Sequence, residues 1–276
     1  MVSAIRGRFR GFAKDDGQDP EFNHRNHWFD ADVDDSFKRV FGLNSWRHNQ
    51  RQAISAALCA NDCFIVMPTG GGKSLCYQLP ALITGGVTVV ISPLKSLILD
   101  QVQKLKALNV PAASLTGEVS QTEVDEIYRQ LHLREPGIRL LYVTPEKVSA
   151  SEKLLSIFDH LYKRQLLSFF VVDEAHCVSH WGHDFRPDYK KLYVLRQRFG
   201  NVKMIALTAT AASRVRIDIL KQLGITSAKW FMQSFNRTNL KYVVQKKAKA
   251  SLSDTLADML KKEFRNQCGI IYCLSR

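Results

Sequence analysis

The feature that most limits what this chain can become is a set of short, almost wholly apolar runs rich in β-branched residues, at 64–67, 87–91, 112–115, 140–143, 169–173 and 204–207. Runs of four or five residues are too short for helices, and without polar alternation they have no face to give to water. They suit strands covered on both sides. Between them lie segments of helical period. Leu97, Ile98, Val102, Leu105 and Leu108 form one stripe that reads as core packing. Val215, Ile219, Leu220 and Leu223 form another, closed by Gly224. Ser92-Pro93 and Thr144-Pro145 each end a strand, and each offers a helix N-cap followed by proline at the first helical position. Repeated strand–turn–helix units predict an α/β domain with a mainly parallel sheet. In such sheets ligands gather at the carboxyl ends of the strands.

The 276 residues suffice for one large or two ordinary domains. The formal net charge is +13, which points to a polyanionic partner, nucleic acid being the commonest. Residues 1–36 carry five bases against eight acids, so the rest of the chain holds a net +16 and the basic excess sits on the folded part. Polar and Asp-rich, residues 1–36 read as a flexible extension. Residues 37–237 make the α/β domain. Residues 238–276 add strand candidates at 240–244 and 269–273 around a helix at 254–264, too little to close a core, and read as the opening of an incomplete second lobe. The six cysteines form no CxxC pair, so neither a zinc ribbon nor a redox motif is indicated. Cys63, Cys76, Cys268 and Cys273 lie among apolar neighbours and read as small core residues. No secretory signal opens the chain, and no apolar run approaches the roughly 20 residues of a membrane helix.

The run at 64–67 leads into Pro68-Thr69-Gly70-Gly71-Gly72-Lys73-Ser74 and then an apolar helical stretch in which Pro80 should cause a kink or an early end. Glycines let backbone N–H groups crowd around phosphate oxygens, and a helix N-terminus adds favourable partial charge. In such a loop Lys73 reaches the outer phosphates of ATP and the Ser74 hydroxyl ligates Mg²⁺. The strict pattern has glycine where this chain has Met67, so the match is to its GKS end. A second half-site lies in Asp173-Glu174 at the tip of the run 169–173. Asp173 suits Mg²⁺, and Glu174 suits the attacking water of phosphoryl transfer.

Asp173-Glu174-Ala175-His176 continues into Ser179, His180, Trp181, Gly182, His183, Asp184, Phe185 and Arg186. Here the sequence resembles the RecQ helicases, whose DEAH box runs into an aromatic-rich loop of the form SxWGHDFR. The likeness extends to Trp46-Arg47-His48-Asn49-Gln50, to residues 68–74, 92–97, 142–147 and 207–211, and covers about 37–276. The runs at 89–94, 140–147 and 269–276 look closest to the branch that includes the Bloom syndrome helicase. The resemblance implies a RecA-like P-loop domain followed by an incomplete second RecA-like lobe. Carried over residue by residue, it gives Gln50 the adenine edge, with Leu43 and Arg47 on the adenine faces. Trp46 stands where the family has phenylalanine. Thr69, Gly70, Gly71, Gly72, Lys73 and Ser74 bind the nucleotide phosphates. Lys73, Asp173, Glu174 and His176 form the catalytic set. Ser92, Pro93, Leu94 and Ser96, with Thr144 and Pro145, contact the phosphate backbone of single-stranded DNA. Trp181, Phe185 and Arg186 sense DNA, and Thr208 and Thr210 couple the ATP site to lobe movement.

The implied activity is that of an ATP-dependent 3′-to-5′ DNA helicase in repair, recombination and replication, with ATP and Mg²⁺ as cofactors, single-stranded and branched DNA as partners, and a nuclear location. The family's second lobe supplies an arginine finger, which no segment here matches, so this polypeptide is expected to bind ATP and DNA but to unwind little. Two other readings stand beside it. One is a non-enzymatic short form competing for DNA or partners; the other is a superfamily-two RNA helicase. Cys177, His180 and His183 have zinc-like spacing, but the RecQ zinc module lies downstream of the helicase lobes and no zinc is expected in this chain.

Overall fold

The computed structural model describes residues 14–182, 184–209, 212–236, 240–244 and 251–273. It divides into two compact units, one running through Phe235 and the other starting at Asn236. The first holds strands β1 (Cys63–Val66), β2 (Val87–Ile91), β3 (Ala112–Leu115), β4 (Leu140–Val143), β5 (Leu167–Val172), β6 (Lys203–Thr208) and β7 (Lys229–Met232). Its helices are α1 (Pro20–Asn23), α2 (Asp30–Asp35), α3 (Gln50–Leu58), α4 (Leu75–Ile83), α5 (Lys95–Ala107), α6 (Gln121–His132), α7 (Pro145–Ala150), α8 (Glu152–Lys163), α9 (Pro187–Lys190), α10 (Tyr193–Arg198) and α11 (Ser213–Leu223).

The strands form one sheet in the order β3-β4-β2-β5-β6-β1-β7, and every pairing is parallel. Successive side chains of a strand point to opposite faces, so each apolar run feeds two cores. Phe64 and Val66 pack with Ile127, Phe158, Leu195 and Ile219 on one side. Ile65 and Met67 pack with Ala53, Tyr77 and Val102 on the other. This double coverage is why the central strands show no polar alternation. The edge strand β7 departs from that pattern, with only Phe231 fully buried, and for that reason it lacks an unbroken apolar run.

Local signals hold in some places and fail in others. Thr144 caps α7 through its hydroxyl, which accepts the Lys147 N–H, and Pro145 takes the first helical position. Gly224 ends α11 in the left-handed conformation. The same reading fails at Ser92-Pro93, because α5 starts only at Lys95, after Leu94. Pro80 does not end α4, which runs on to Ile83; the Thr84 N–H and hydroxyl both donate to the Pro80 carbonyl. In the α5 stripe Ile98, Val102 and Leu105 are buried, but Leu97 and Leu108 are exposed. Cys63 and Cys76 are buried as expected of core residues, whereas Cys268 and Cys273 are exposed.

The largest difference lies at the N-terminus. A flexible extension over 1–36 does not describe residues 14–36. Phe22, Phe29, Val33 and Phe37 are buried; Phe29, Val33 and Phe37 pack against Ile54, Leu75 and Leu79 of α3 and α4. Each of these aromatics buries enough surface to contribute about 2 kcal/mol, which outweighs the polar average of the segment. Asp30 pairs with Arg51 of α3 in a buried ion pair, and accepts the His27 N–H at 2.8 Å. Arg51 also donates to Ser55 at 2.6 Å.

In the second unit α12 (Leu252–Lys262) is the one regular element among the described residues, and 240–244 and 269–273 are not strands. The described residues offer them no neighbouring strand, and a lone strand leaves its backbone groups unpaired.

Replacing Asp30 by alanine leaves the buried Arg51 guanidinium with Ser55 and the more distant Asp34, at 3.9 Å, as its polar partners, and should cost on the order of 2 kcal/mol in urea unfolding at neutral pH. Burial alone would raise the Asp30 carboxyl, but the His27 N–H and Arg51 outweigh it and hold it below the ordinary 3.8. Its contribution is therefore present above 3.8 and is lost as pH falls through the lower folded value. The gap between wild type and Asp30→Ala should close only in that acid range.

Candidate nucleotide and nucleic-acid site

Because all seven strands run the same way, their carboxyl ends lie along one edge of the sheet, and the loops after β1, β2, β4, β5 and β6 meet there. The loop after β1 begins with the Met67 N–H donating to Thr208 of β6 at 3.1 Å, and turns back through Gly71 N–H to the Pro68 carbonyl at 2.9 Å. Gly70 and Gly72 have φ of +78° and +85°, a region that L side chains rarely occupy. A β-carbon on Gly72 would lie 2.4 Å from Gln50 Nε2, and one on Gly71 would lie 2.7 Å from Gln233 Oε1. The loop thus has glycine where conformation and close approach both demand it. Ser74 stands at the start of α4, and Lys73 Nζ lies 3.2 Å from the Met67 carbonyl.

Gln50 is buried and uses half of its amide on the protein. Its Oε1 accepts the Arg47 N–H at 3.1 Å and its Nε2 donates to the Gly72 carbonyl at 3.0 Å. One N–H and one lone pair remain, the pair of functions that matches an adenine edge. Leu43, Arg47 and Thr69 are exposed.

Across the edge, Asp173 ends β5. Burial, reinforced by the neighbouring Glu174 charge, pushes its carboxyl up to about 6, against the Glu174 N–H, Lys73 and Ser92, which favour the anion. Glu174 sits at φ 47°, a strained position for a residue with a β-carbon. Burial raises its carboxyl too, but His176, Lys73 and the Ala209 N–H outweigh it and hold it below the usual range. His176 Nδ1 lies 3.3 Å from Glu174 and 3.0 Å from the Thr208 hydroxyl. A single imidazole therefore links the acid after β5 to the end of β6. Thr210 lies outside the described residues.

The residues assigned to DNA divide into two groups. Leu94, Ser96 and Trp181 are exposed, and Phe185 and Arg186 are half-buried. Ser92, Pro93, Thr144 and Pro145 are buried. The Ser92 hydroxyl faces Asp173 at 3.4 Å, and the Thr144 hydroxyl accepts the Lys147 N–H in capping α7, so each has one contact within the protein. Phe185 stacks on His180 at 3.8 Å. Arg186 donates to the Pro93 carbonyl at 3.0 Å and to Asp184, tying the loop after β5 to the loop after β2. Trp181 lies beneath the Arg214 guanidinium of α11, 3.5 Å from ring centroid to carbon. Of the zinc-like trio, His183 lies outside the described residues. His176, Cys177 and Asp184 do approach within 4.8 Å, but Asp184 is paired with Arg186 and burial pushes the Cys177 thiol up to about 12.

Several supporting residues carried no sequence signal. Gln233, just after β7, donates to the carbonyls of His48 at 2.6 Å and Gly71 at 3.3 Å. The Tyr189 hydroxyl donates to the Asp173 carbonyl at 2.8 Å. Asn49 binds Asp15 and Met232. These contacts join residues 16 to 185 positions apart, which no local pattern records.

The DEAD/DEAH box helicase family profile matches residues 47–218, more than half of the chain. With the glycine loop, the acid pair and the parallel sheet in place, this chain belongs to the DEAD/DEAH box helicase family. It is similar to the RecQ-like DNA helicase BLM of Xenopus laevis, at 56% identity over 98% of this chain and 19% of that protein. It is also similar to the RecQ-like DNA helicase blm-1 of Caenorhabditis elegans, at 49% identity over 99% of this chain and 28% of that protein. The chain thus spans 19% and 28% of the length of these two relatives. In fold it is similar to the DUF1998 helicase MrfA, with a TM-score of 0.57 at 19% identity over 74% of this chain and 32% of that one.

A carboxyl raised from 3.8 to about 6 binds its proton more tightly in the folded chain, so its charged form lowers stability above pH 6 and the penalty is absent below 3.8. Asp173→Asn should therefore raise the melting temperature at pH 8, without nucleotide or divalent cation, by about 3–6 °C. The gain should shrink between pH 6 and 3.8. An unchanged melting temperature at pH 8 would contradict this account of the site.

Proposed function

We propose that this chain binds ATP–Mg²⁺ and single-stranded DNA as the nucleotide-binding part of a RecQ-type DNA helicase. The observation that carries this reading is the meeting of Lys73, after β1, with Asp173 and Glu174, after β5, across the end of β6. Lys73 bears on both carboxyls, and the glycine loop leaves no room for β-carbons at Gly71 and Gly72. A loop with left-handed glycines at a helix start suits phosphate, and a buried acid lacking full compensation suits a cation. Ser74 and Asp173 would hold Mg²⁺, which neutralises phosphate charge when bound. Lys73 and the loop N–H groups hold the outer phosphates, and the remaining functions of Gln50 hold the base. Glu174, kept anionic by His176 and Lys73, orients the attacking water. The His176–Thr208 contact carries the state of this site to β6.

Trp181, Phe185 and Arg186 form the surface that meets DNA, with Leu94, Lys95 and Ser96 beside them. An exposed tryptophan offers a stacking face to any base. The Arg186–Pro93 bond joins this surface to the loop whose Ser92 faces Asp173, a short physical route from strand to hydrolysis site. A 3′-to-5′ polarity, action on branched DNA, a part in repair, recombination and replication, and a place in the nucleus accompany the RecQ reading.

The test is ATP hydrolysis and nucleotide binding by the purified chain, with and without single-stranded DNA. Lys73→Ala should lose nucleotide affinity at least tenfold, about the cost of removing one partner of a buried charged contact. Trp181→Ala should weaken single-stranded DNA binding by about 5- to 100-fold while nucleotide binding persists. Clear preference for RNA over DNA of matched sequence would sink the DNA assignment, and nucleotide binding indifferent to Lys73 would sink the whole reading.

A further inference from the structure

Asn49 precedes α3 with φ of 58°. Asparagine is among the best helix caps, yet this side chain bonds no N–H of α3. It turns the other way. Its Nδ2 donates to both carboxylate oxygens of Asp15, at 2.9 and 3.0 Å, and to the Met232 carbonyl at 2.8 Å, so both amide hydrogens are used. Asp15 is itself oriented by the Gly17 N–H at 3.1 Å. Gly17 lies so close that a β-carbon on it would stand 2.0 Å from Asn49 Oδ1. The neighbouring Asp16 accepts the Trp230 N–H at 2.7 Å, which anchors the segment to β7. On the other side of Gln50, Arg51 is held by Asp30. Both sequence neighbours of Gln50 are therefore clamped by residues 14–36. His24 and Arg25 of that segment also share the lining of a cavity of about 310 Å³ with Arg47, His48 and Asn49.

We propose that residues 14–36 set the geometry of the 47–50 turn, and that Asp15, acting through Asn49, is a positioning residue for the base of the bound nucleotide. This rests on the nucleotide reading above. The left-handed Asn49 and the charge-assisted Asp15 contact hold one strained turn, from which Arg47 and Gln50 project. Releasing the contact lets the turn relax and takes Gln50 out of register with the base. Gln50 and Gln233 link this turn to the phosphate loop at Gly72 and Gly71, but the loop is also held by Met67 to Thr208 and Gly71 to Pro68, bonds that do not pass through the turn. The consequence therefore falls on the base and spares the phosphates.

The experiment is calorimetric binding of ADP, GDP and inorganic tripolyphosphate to the full chain and to Asp15→Ala, Asn49→Ala and Lys73→Ala, with melting curves to verify folding. Alanine keeps a β-carbon in the left-handed backbone and so keeps its strain, so Asn49→Ala removes only the amide strut and stands in if Asp15→Ala does not fold. Expected are ADP affinities lowered about tenfold or more, a narrowed preference for ADP over GDP, and tripolyphosphate affinity within about twofold of wild type. Equal losses for ADP and tripolyphosphate would show mere loosening and overturn the proposal, as would an unchanged ADP affinity. Lys73→Ala should weaken both ligands; if it weakens neither, the nucleotide reading itself fails and this proposal with it.

Discussion

A sheet in which every strand runs the same way must return each connection over one of its faces, and so brings the ends of all its strands to a single edge. That constraint governs the rest of the molecule. It requires helices on both faces, which demands apolar side chains on both sides of the central strands. It also places loops that are distant in sequence within bonding reach. The Met67 N–H reaches Thr208 of β6, the Asp173 N–H reaches Ile91 of β2, and Tyr189 reaches the Asp173 carbonyl. Lys73 and Asp173 are a hundred residues apart in the chain, and they act on one another because β6 alone separates β1 from β5.

The edge carries unfavourable features that the remainder of the fold sustains. Asp173 is held in a setting that favours its proton, Glu174 occupies a left-handed conformation, and Asn49 does the same at the start of α3. Each costs on the order of 1–3 kcal/mol. They persist because rigid strands anchor both sides. Other left-handed residues, Ala60, Asn109 and Gln165, fall in the turns that lead into β1, β3 and β5, where no charge is buried beside them as it is at Asp173 and Glu174.

The legible parts of the site were those whose chemistry is written in consecutive residues: the glycine loop, the acid pair, the Thr144 cap of α7, the Gly224 stop of α11. The misread parts were those where a side chain had a choice of partner. Ser92 looks like a helix cap, but α5 starts only at Lys95 and the Ser92 hydroxyl faces Asp173. Asn49 looks like a cap and serves as a strut. Residues 14–36 look too acidic to fold, yet four apolar side chains among 22–37, together with an ion pair to Arg51, dock part of them against α3 and α4. Average polarity describes a segment poorly when a few residues at suitable spacing meet a waiting surface.

By itself, then, the sequence determined the class of sheet, because unbroken β-branched runs allow few other arrangements, and it determined the glycine loop between β1 and α4, because glycine conformation there follows from backbone geometry and local register. It also carried the family, since the box at 173–176 and the loop after it are contiguous. Only the tertiary structure decided which groups share the edge, that β7 completes the sheet beside β1, and that the N-terminal segment grips the 47–50 turn. Those outcomes depend on contacts between residues from 21 positions apart, as in Asp30–Arg51, to 214, as in Asp16–Trp230, which no local pattern in the chain records.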